Sequence, residues 1–183
     1  SAGDLTSLVG AGYFTIFALE AATIGFSVYG PAFLQGLQGA SPLVAGYVIS
    51  AIAAGWTVTA MLVAGVQNRD GFMIRLGAAC VVAGLTLGAW SLPYGGLWLT
   101  VAALTLAGMG FGFAWAFLSK AIIGALSEVE RPLGSSAVPT AQMIGGAVGA
   151  AGASALAGLL GLSDGVDPVA GPAAGLKLFG AVI

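Results

Sequence analysis

Long apolar runs, separated by short polar or glycine- and proline-rich breaks, fill most of this chain. A transmembrane strand needs about 10 residues of alternating polarity. These runs are more than twice that length and are apolar on both faces, so they are helical spans. The pattern predicts an all-α integral membrane protein, with residues 1–9 as a polar lead or linker and 10–183 as a six-span helical bundle. The spans fall at about 10–35, 42–66, 72–92, 97–119, 135–160 and 172–183. Ser41 suits an N-cap and Pro42 the first helical position, so the second span starts sharply. Pro93-Tyr94-Gly95-Gly96 is a breaker cluster and is expected to end the third. The stretch from Pro172 rises only about 18 Å against a hydrocarbon core of about 30 Å, so the sixth span is expected to be incomplete.

Charges sort the breaks into two kinds. Arg69, Arg75, Lys120 and Arg131 fall around the second and fourth loops; the first and third loops have no charge, and the fifth carries Asp164 and Asp167 ahead of Lys177. By the positive-inside rule the second and fourth loops are cytoplasmic, and so are both termini.

One charge does not fit a loop. Glu20 lies near the middle of the first span, where an acidic charge costs about 3 kcal/mol on insertion scales. An intramembrane carboxylate is a functional-site hypothesis by default, and protonation avoids most of that cost. Tyr13, Glu20 and Ser27 are seven apart with Thr23 between the last two, so one stripe of this helix is polar, while Phe14, Leu19, Phe26 and Phe33 make the other side apolar. A neutral Glu20, hydrogen-bonded between helices, is the structural alternative.

Composition narrows the function classes. The chain is 58% hydrophobic and 7% charged, against about 25% charged in a soluble domain. Net charge is −2 without a basic patch, which excludes nucleic acid as a partner. Cys80 is the single cysteine and there is no histidine, so an internal disulfide is excluded and no metal or other cofactor is expected. No nucleophile elbow, P-loop or metal-ligand cluster is present; the chain reads as no enzyme, and ATP does not drive it directly. It begins with Ser and lacks the basic start of a signal peptide, which reads as a piece of something longer.

The break between the second and third spans reads Ala64-Gly-Val-Gln-Asn68-Arg69-Asp-Gly71-Phe-Met-Ile-Arg75. It resembles the cytoplasmic-loop motif of the major facilitator superfamily, Gly-x-x-x-Asp-Arg-x-Gly followed by basic residues. Arg69 and Gly71 match in register; Asn68 stands for the family's Asp, Ala64 for its Gly, and Arg75 supplies the trailing charge. Gly71 is expected to allow a tight turn, and Arg69 to cap the end of the second span or to pair with an acid on a neighbouring helix. Leu-Gln-Gly-Ala-Ser41-Pro42-Leu-Val-Ala-Gly46, Ala107-Gly-Met-Gly-Phe-Gly-Phe, the 128–134 loop and Gln142-Met-Ile-Gly-Gly-Ala-Val-Gly149 are similar, in order, to the C-terminal half of that superfamily, most of all to its drug:proton antiporter branches.

The resemblance implies spans seven to twelve of a twelve-span transporter, or the corresponding spans of a fourteen-span one, in the plasma (inner) membrane. It implies coupling to protons, a small amphipathic or drug-like substrate, and a partner: the missing N-terminal six-span half or another membrane subunit. The competing reading is a non-transporting scaffold or assembly subunit that keeps the fold.

Two features complete the candidate set. Gly108/Gly112 and Gly145/Gly149 form G-x-x-x-G pairs, which let helices approach closely where lipid offers no hydrophobic drive. Cavity candidates are Tyr13, Thr23 and Ser27 on the first span, Ser50 and Thr57 on the second, Trp115 on the fourth and Gln142 on the fifth; for single Ser and Thr residues a back-bond to the helix competes with a cavity role. Trp90 and Trp98, near span ends, suit the membrane interface better than Trp56 or Trp115 do.

Overall fold

The computed structural model describes residues 8–162 and 165–181, which form six α-helices: α1 Leu8–Gln38, α2 Pro42–Val63, α3 Asp70–Tyr94, α4 Leu97–Gly124, α5 Arg131–Leu159 and α6 Gly171–Gly180. The first five are long and apolar enough to cross a membrane. α6 has 10 residues and is too short to be counted with them. Of the expected lead at 1–9, residues 8 and 9 are already helical and the others lie outside the described residues.

Several boundaries differ from the sequence pattern. α3 runs through Pro93 to Tyr94: a proline near a helix end removes one hydrogen bond without stopping the chain, and the stop comes at Gly95, whose N–H donates to the Ser91 carbonyl at 2.8 Å. α4 continues past Ser119 to Gly124, which puts Lys120 on the helix rather than in a loop. α5 starts at Arg131, with Pro132 in its first turn, and carries Pro139 well inside. Ahead of it, the Ser127 backbone N–H and hydroxyl both donate to the Glu130 carboxylate, at 3.3 and 2.7 Å, which closes the turn leading into the helix. Ser41 caps α2 as its sequence suggests, accepting from Val44 N–H at 3.3 Å. At the other end of α5, Gly161 adopts φ 72° and Leu162 N–H reaches the Ala157 carbonyl at 3.0 Å. This is a Schellman stop, in which glycine meets no Cβ penalty.

Helix pairing follows the small residues. α1 and α5 lie side by side and parallel: Gly145 meets the backbone of Phe17, Gly149 that of Ala21, and a Cβ on Gly25 would sit 3.6 Å from that of Ala153. α2 and α4 are a second parallel pair, with Gly108 against the Ile52 carbonyl and Gly112 against the Trp56 carbonyl. α3 runs antiparallel to α4, with Gly77 facing Ala114 and Gly84 facing Ala107. α4, held between α2 and α3, is the most enclosed helix, with 56% of its most apolar stretch buried; α5, at 17%, leaves a broad face open.

α6 docks on α1 and α3. Its Phe179 ring stacks on Phe26 at 4.7 Å and meets Phe33 edge-on at 5.1 Å, all three rings being fully buried. Gln38, the last residue of α1, donates to the Ser91 and Leu92 carbonyls at 3.2 and 2.9 Å. It thereby gives the Leu92 carbonyl a donor at the α3 terminus and adds a second one to Ser91, which already accepts from Gly95 N–H. Leu62, Trp98 and Met143 are among the large apolar side chains turned outward, as suits helices whose solvent is lipid.

Candidate functional site in the seam between α1 and α5

Glu20 is half-buried on the side of α1 that meets α5. Helical side chains lean toward the N-terminus of their helix, and Gly146 leaves room for this one: a Cβ there would be 3.5 Å from Glu20 Cγ. The carboxylate then meets Gln142 one turn earlier on α5, which donates from Nε2 to Glu20 Oε2 at 3.2 Å. Lower in the same seam, the Tyr13 hydroxyl donates to the Gly134 carbonyl at 2.9 Å. Trp115 of α4 packs against the apolar cluster built from Ile16, Leu118, Ile122 and Val138, where Tyr13 also lies. Its ring is 5.5 Å from Trp56, which is 5.5 Å from Phe111. Tyr13, Glu20 and Gln142 thus lie along the α1–α5 seam, and Trp115 of α4 shares an apolar cluster with Tyr13.

The remaining cavity candidates do not join that group. Thr23 is buried, and its hydroxyl donates to the Leu19 carbonyl at 2.7 Å. Ser27 is exposed. The expected polar stripe therefore leaves the seam along α1, because the contact line with α5 runs through Phe17, Ala21 and Gly25 at a spacing of four, which winds away from a stripe spaced by seven. Ser50 and Thr57 are exposed on α2 and bond back to the Tyr47 and Ala53 carbonyls, at 2.8 and 2.9 Å. Thr57 also lines an open hollow with Trp56, Ala60 and Met61. Among the described residues, no three His, Cys, Asp or Glu side chains converge to hold a metal.

The loop between α2 and α3 differs from expectation in two ways. The left-handed residue is Asn68, at φ 56°, and not Gly71, which lies in the first turn of α3 with open space around it. Asparagine is one of the few side chains that tolerate this region. Arg69 is exposed and, among the described residues, neither caps α2 nor pairs with an acid; Arg75 is exposed as well. The ion pair here joins Asp70 to Lys120, 2.9 Å apart, across the α3–α4 hairpin. Sequence reasoning passed over that pair. Its signal is opposite charge at the start of one helix and the end of the next, positions that an antiparallel hairpin brings together.

Outside the spans, two exposed carboxyls are held below the usual range. Glu130 is lowered chiefly by the Ser127 side chain and then by its backbone N–H. Asp167 is lowered by the N–H groups of Ala170 and Val169, which it accepts at 2.8 and 2.7 Å.

Long apolar helices packed through glycine define the class as a multi-pass helical membrane protein. Among curated proteins, the chain is similar to a probable multidrug-efflux transporter of Mycobacterium tuberculosis, found in strains CDC 1551 / Oshkosh and ATCC 25618 / H37Rv. Each is 32% identical over 129 residues, covering 67% of this chain. The match spans 27% of the length of each relative, about a quarter of it. Both bear a transporter's name and not an enzyme's. No family model matches the chain, and no solved structure does.

Proposed function

We propose that this chain is the C-terminal six-span half of a proton-coupled secondary transporter of the major facilitator type, exporting small amphipathic or drug-like molecules, with Glu20 as the proton carrier. The observation that carries this reading is the Glu20–Gln142 contact: a carboxylate in the middle of an apolar helix, half-buried, and paired with a neutral amide. Among the described residues no cation is paired with it. The name of the similar mycobacterial proteins supports efflux, and the 64–75 loop supports the superfamily.

In this reading Tyr13, Trp115 and Gln142 line the substrate path beside Glu20, and Thr23, Ser27, Ser50 and Thr57 take secondary places along it. The open faces of α2 and α5 meet the N-terminal half, and both termini lie on the cytoplasmic side of the inner membrane. A proton loaded in one orientation and released in the other drives export. In the full-length protein reconstituted in vesicles, Glu20→Gln should keep some substrate binding and lose accumulation driven by a pH gradient. Glu20→Asp should retain part of the activity with a shifted pH optimum. Unchanged gradient-driven transport and pH profile in Glu20→Gln would make the carboxylate a structural group and remove the proposal.

A further inference from the structure

The partner that Glu20 finds across the seam is chemically ambivalent. An ionised carboxylate only accepts hydrogen bonds, whereas a protonated one also offers an O–H. A glutamine amide carries two N–H donors and a carbonyl acceptor, and its last torsion is soft, so it can present either end. A lysine or arginine in its place would favour the charged form alone. The seam around the pair is closely packed. Along α1 Glu20 falls between Phe17 and Ala21, whose backbones lie directly against Gly145 and Gly149, with the Ile24 side chain also against Gly149.

We propose that Gln142 is a positioning residue that holds the Glu20 side chain in the α1–α5 seam in both of its charge states, so that α1 and α5 stay packed as one unit while the proton comes and goes. The inference rests on reading Glu20 as a proton carrier, and it adds that the proton is handled by rotation of an amide and not by separation of two helices.

The surroundings leave Gln142 this role. On α1 the other titratable groups are Tyr13, bonded to Gly134, and Tyr29. α5 carries none beyond Arg131, and α2 only Tyr47. α4 carries Lys120, which is paired with Asp70 of α3. α3 adds Arg75, Cys80 and Tyr94, and α6 adds Lys177. The polar contact of the Glu20 carboxylate among the described residues is the amide.

The test uses the full-length protein in lipid nanodiscs, with infrared difference spectra taken between acid and neutral pH and Glu20→Gln used to assign the carboxyl bands. Gln142→Leu and Gln142→Met both remove the amide, and the second keeps an unbranched chain if the first disturbs packing. In both, the C=O stretch of protonated Glu20 should shift upward toward a free acid, and its carboxylate bands should move as well. Bands identical to those of the unsubstituted protein in both variants would overturn the positioning role. Separately, Gly25→Cys with Ala153→Cys, in a Cys80→Ser background, places two thiols where the Cβ separation of 3.6 Å falls in the disulfide range of about 3.5–4.5 Å. Closed at neutral pH with copper phenanthroline as the oxidant, which takes the two electrons of the thiols, the disulfide should leave the acid-minus-neutral Glu20 bands in place. Loss of those bands in the cross-linked protein, with their return on reduction, would show that the helices must part for the proton to move, and would sink the single-unit claim. If these results hold while Glu20→Gln transports normally, the positioning role stands and the coupling role falls.

Discussion

Gly149 of α5 lies directly against the backbone carbonyl of Ala21 in α1, a contact that no larger side chain could occupy. A lipid solvent gives helices little apolar reason to associate, so close backbone approach has to supply the attraction through dispersion and weak polar contacts. Gly149→Ala and Gly145→Ala should each destabilise the bundle by about 1–3 kcal/mol, the usual cost of overpacking. Gly146→Ala, where the new methyl would find ordinary contact, and Gly152→Ala, which faces open space, should stay within about 0.5 kcal/mol. Unfolding in mixed micelles with increasing dodecyl sulfate measures the difference. Equal losses at all four positions would contradict the packing described.

The Asp70–Lys120 pair should contribute little despite its short distance. The two side chains are 35% and 64% exposed, so solvent and salt screen their attraction. A double-mutant cycle with Asp70→Asn and Lys120→Gln should give a coupling of about 0.2–1 kcal/mol that shrinks with added salt. A coupling well above that range, insensitive to salt, would mean the pair is shielded in a way its exposure does not indicate.

The turn into α6 should loosen in acid. Asp167 is held below its ordinary value by two backbone N–H groups that need its charged form. A lowered carboxyl contributes stability above its unfolded value, near pH 4, and loses it as pH falls through the lower folded value. Amide exchange at Val169 and Ala170 should therefore accelerate relative to neighbouring residues below about pH 4. Asp167→Ala should reproduce that acceleration at neutral pH.

The proposed topology makes a labelling prediction. Single cysteines at Arg69 and Glu128, in a Cys80-free background, should react with impermeant reagent from the cytoplasmic side, and one at Asp167 from the outside. The companion position Asp164 lies outside the described residues. Labelling of position 167 from the cytoplasmic side alone would reverse the orientation.

Helices along this chain are legible without any structure, because a continuous apolar run has one stable form in lipid: each backbone N–H and C=O must be satisfied within the segment. The same local reasoning isolates Glu20, since a charge inside such a run is visible by position alone, and it marks Ser41 and Pro42 as the start of α2. It misjudges ends such as Pro93, where a proline in the last turn removes one hydrogen bond without stopping the helix, and Ser119, past which α4 continues to pack through the buried Ile122.

Sequence by itself determined that Gly108, Gly112, Gly145 and Gly149 suit close approach. Only the tertiary structure decided which helix each pair meets, because a missing side chain permits contact without specifying its partner. It likewise decided that Gln142 reaches a carboxylate 122 residues away, that Asp70 rather than Arg69 forms the ion pair, and that Ser27 leaves the seam which Tyr13 and Glu20 share. Those outcomes depend on the register and rotation of whole helices, set by the summed packing of many small contacts along each seam.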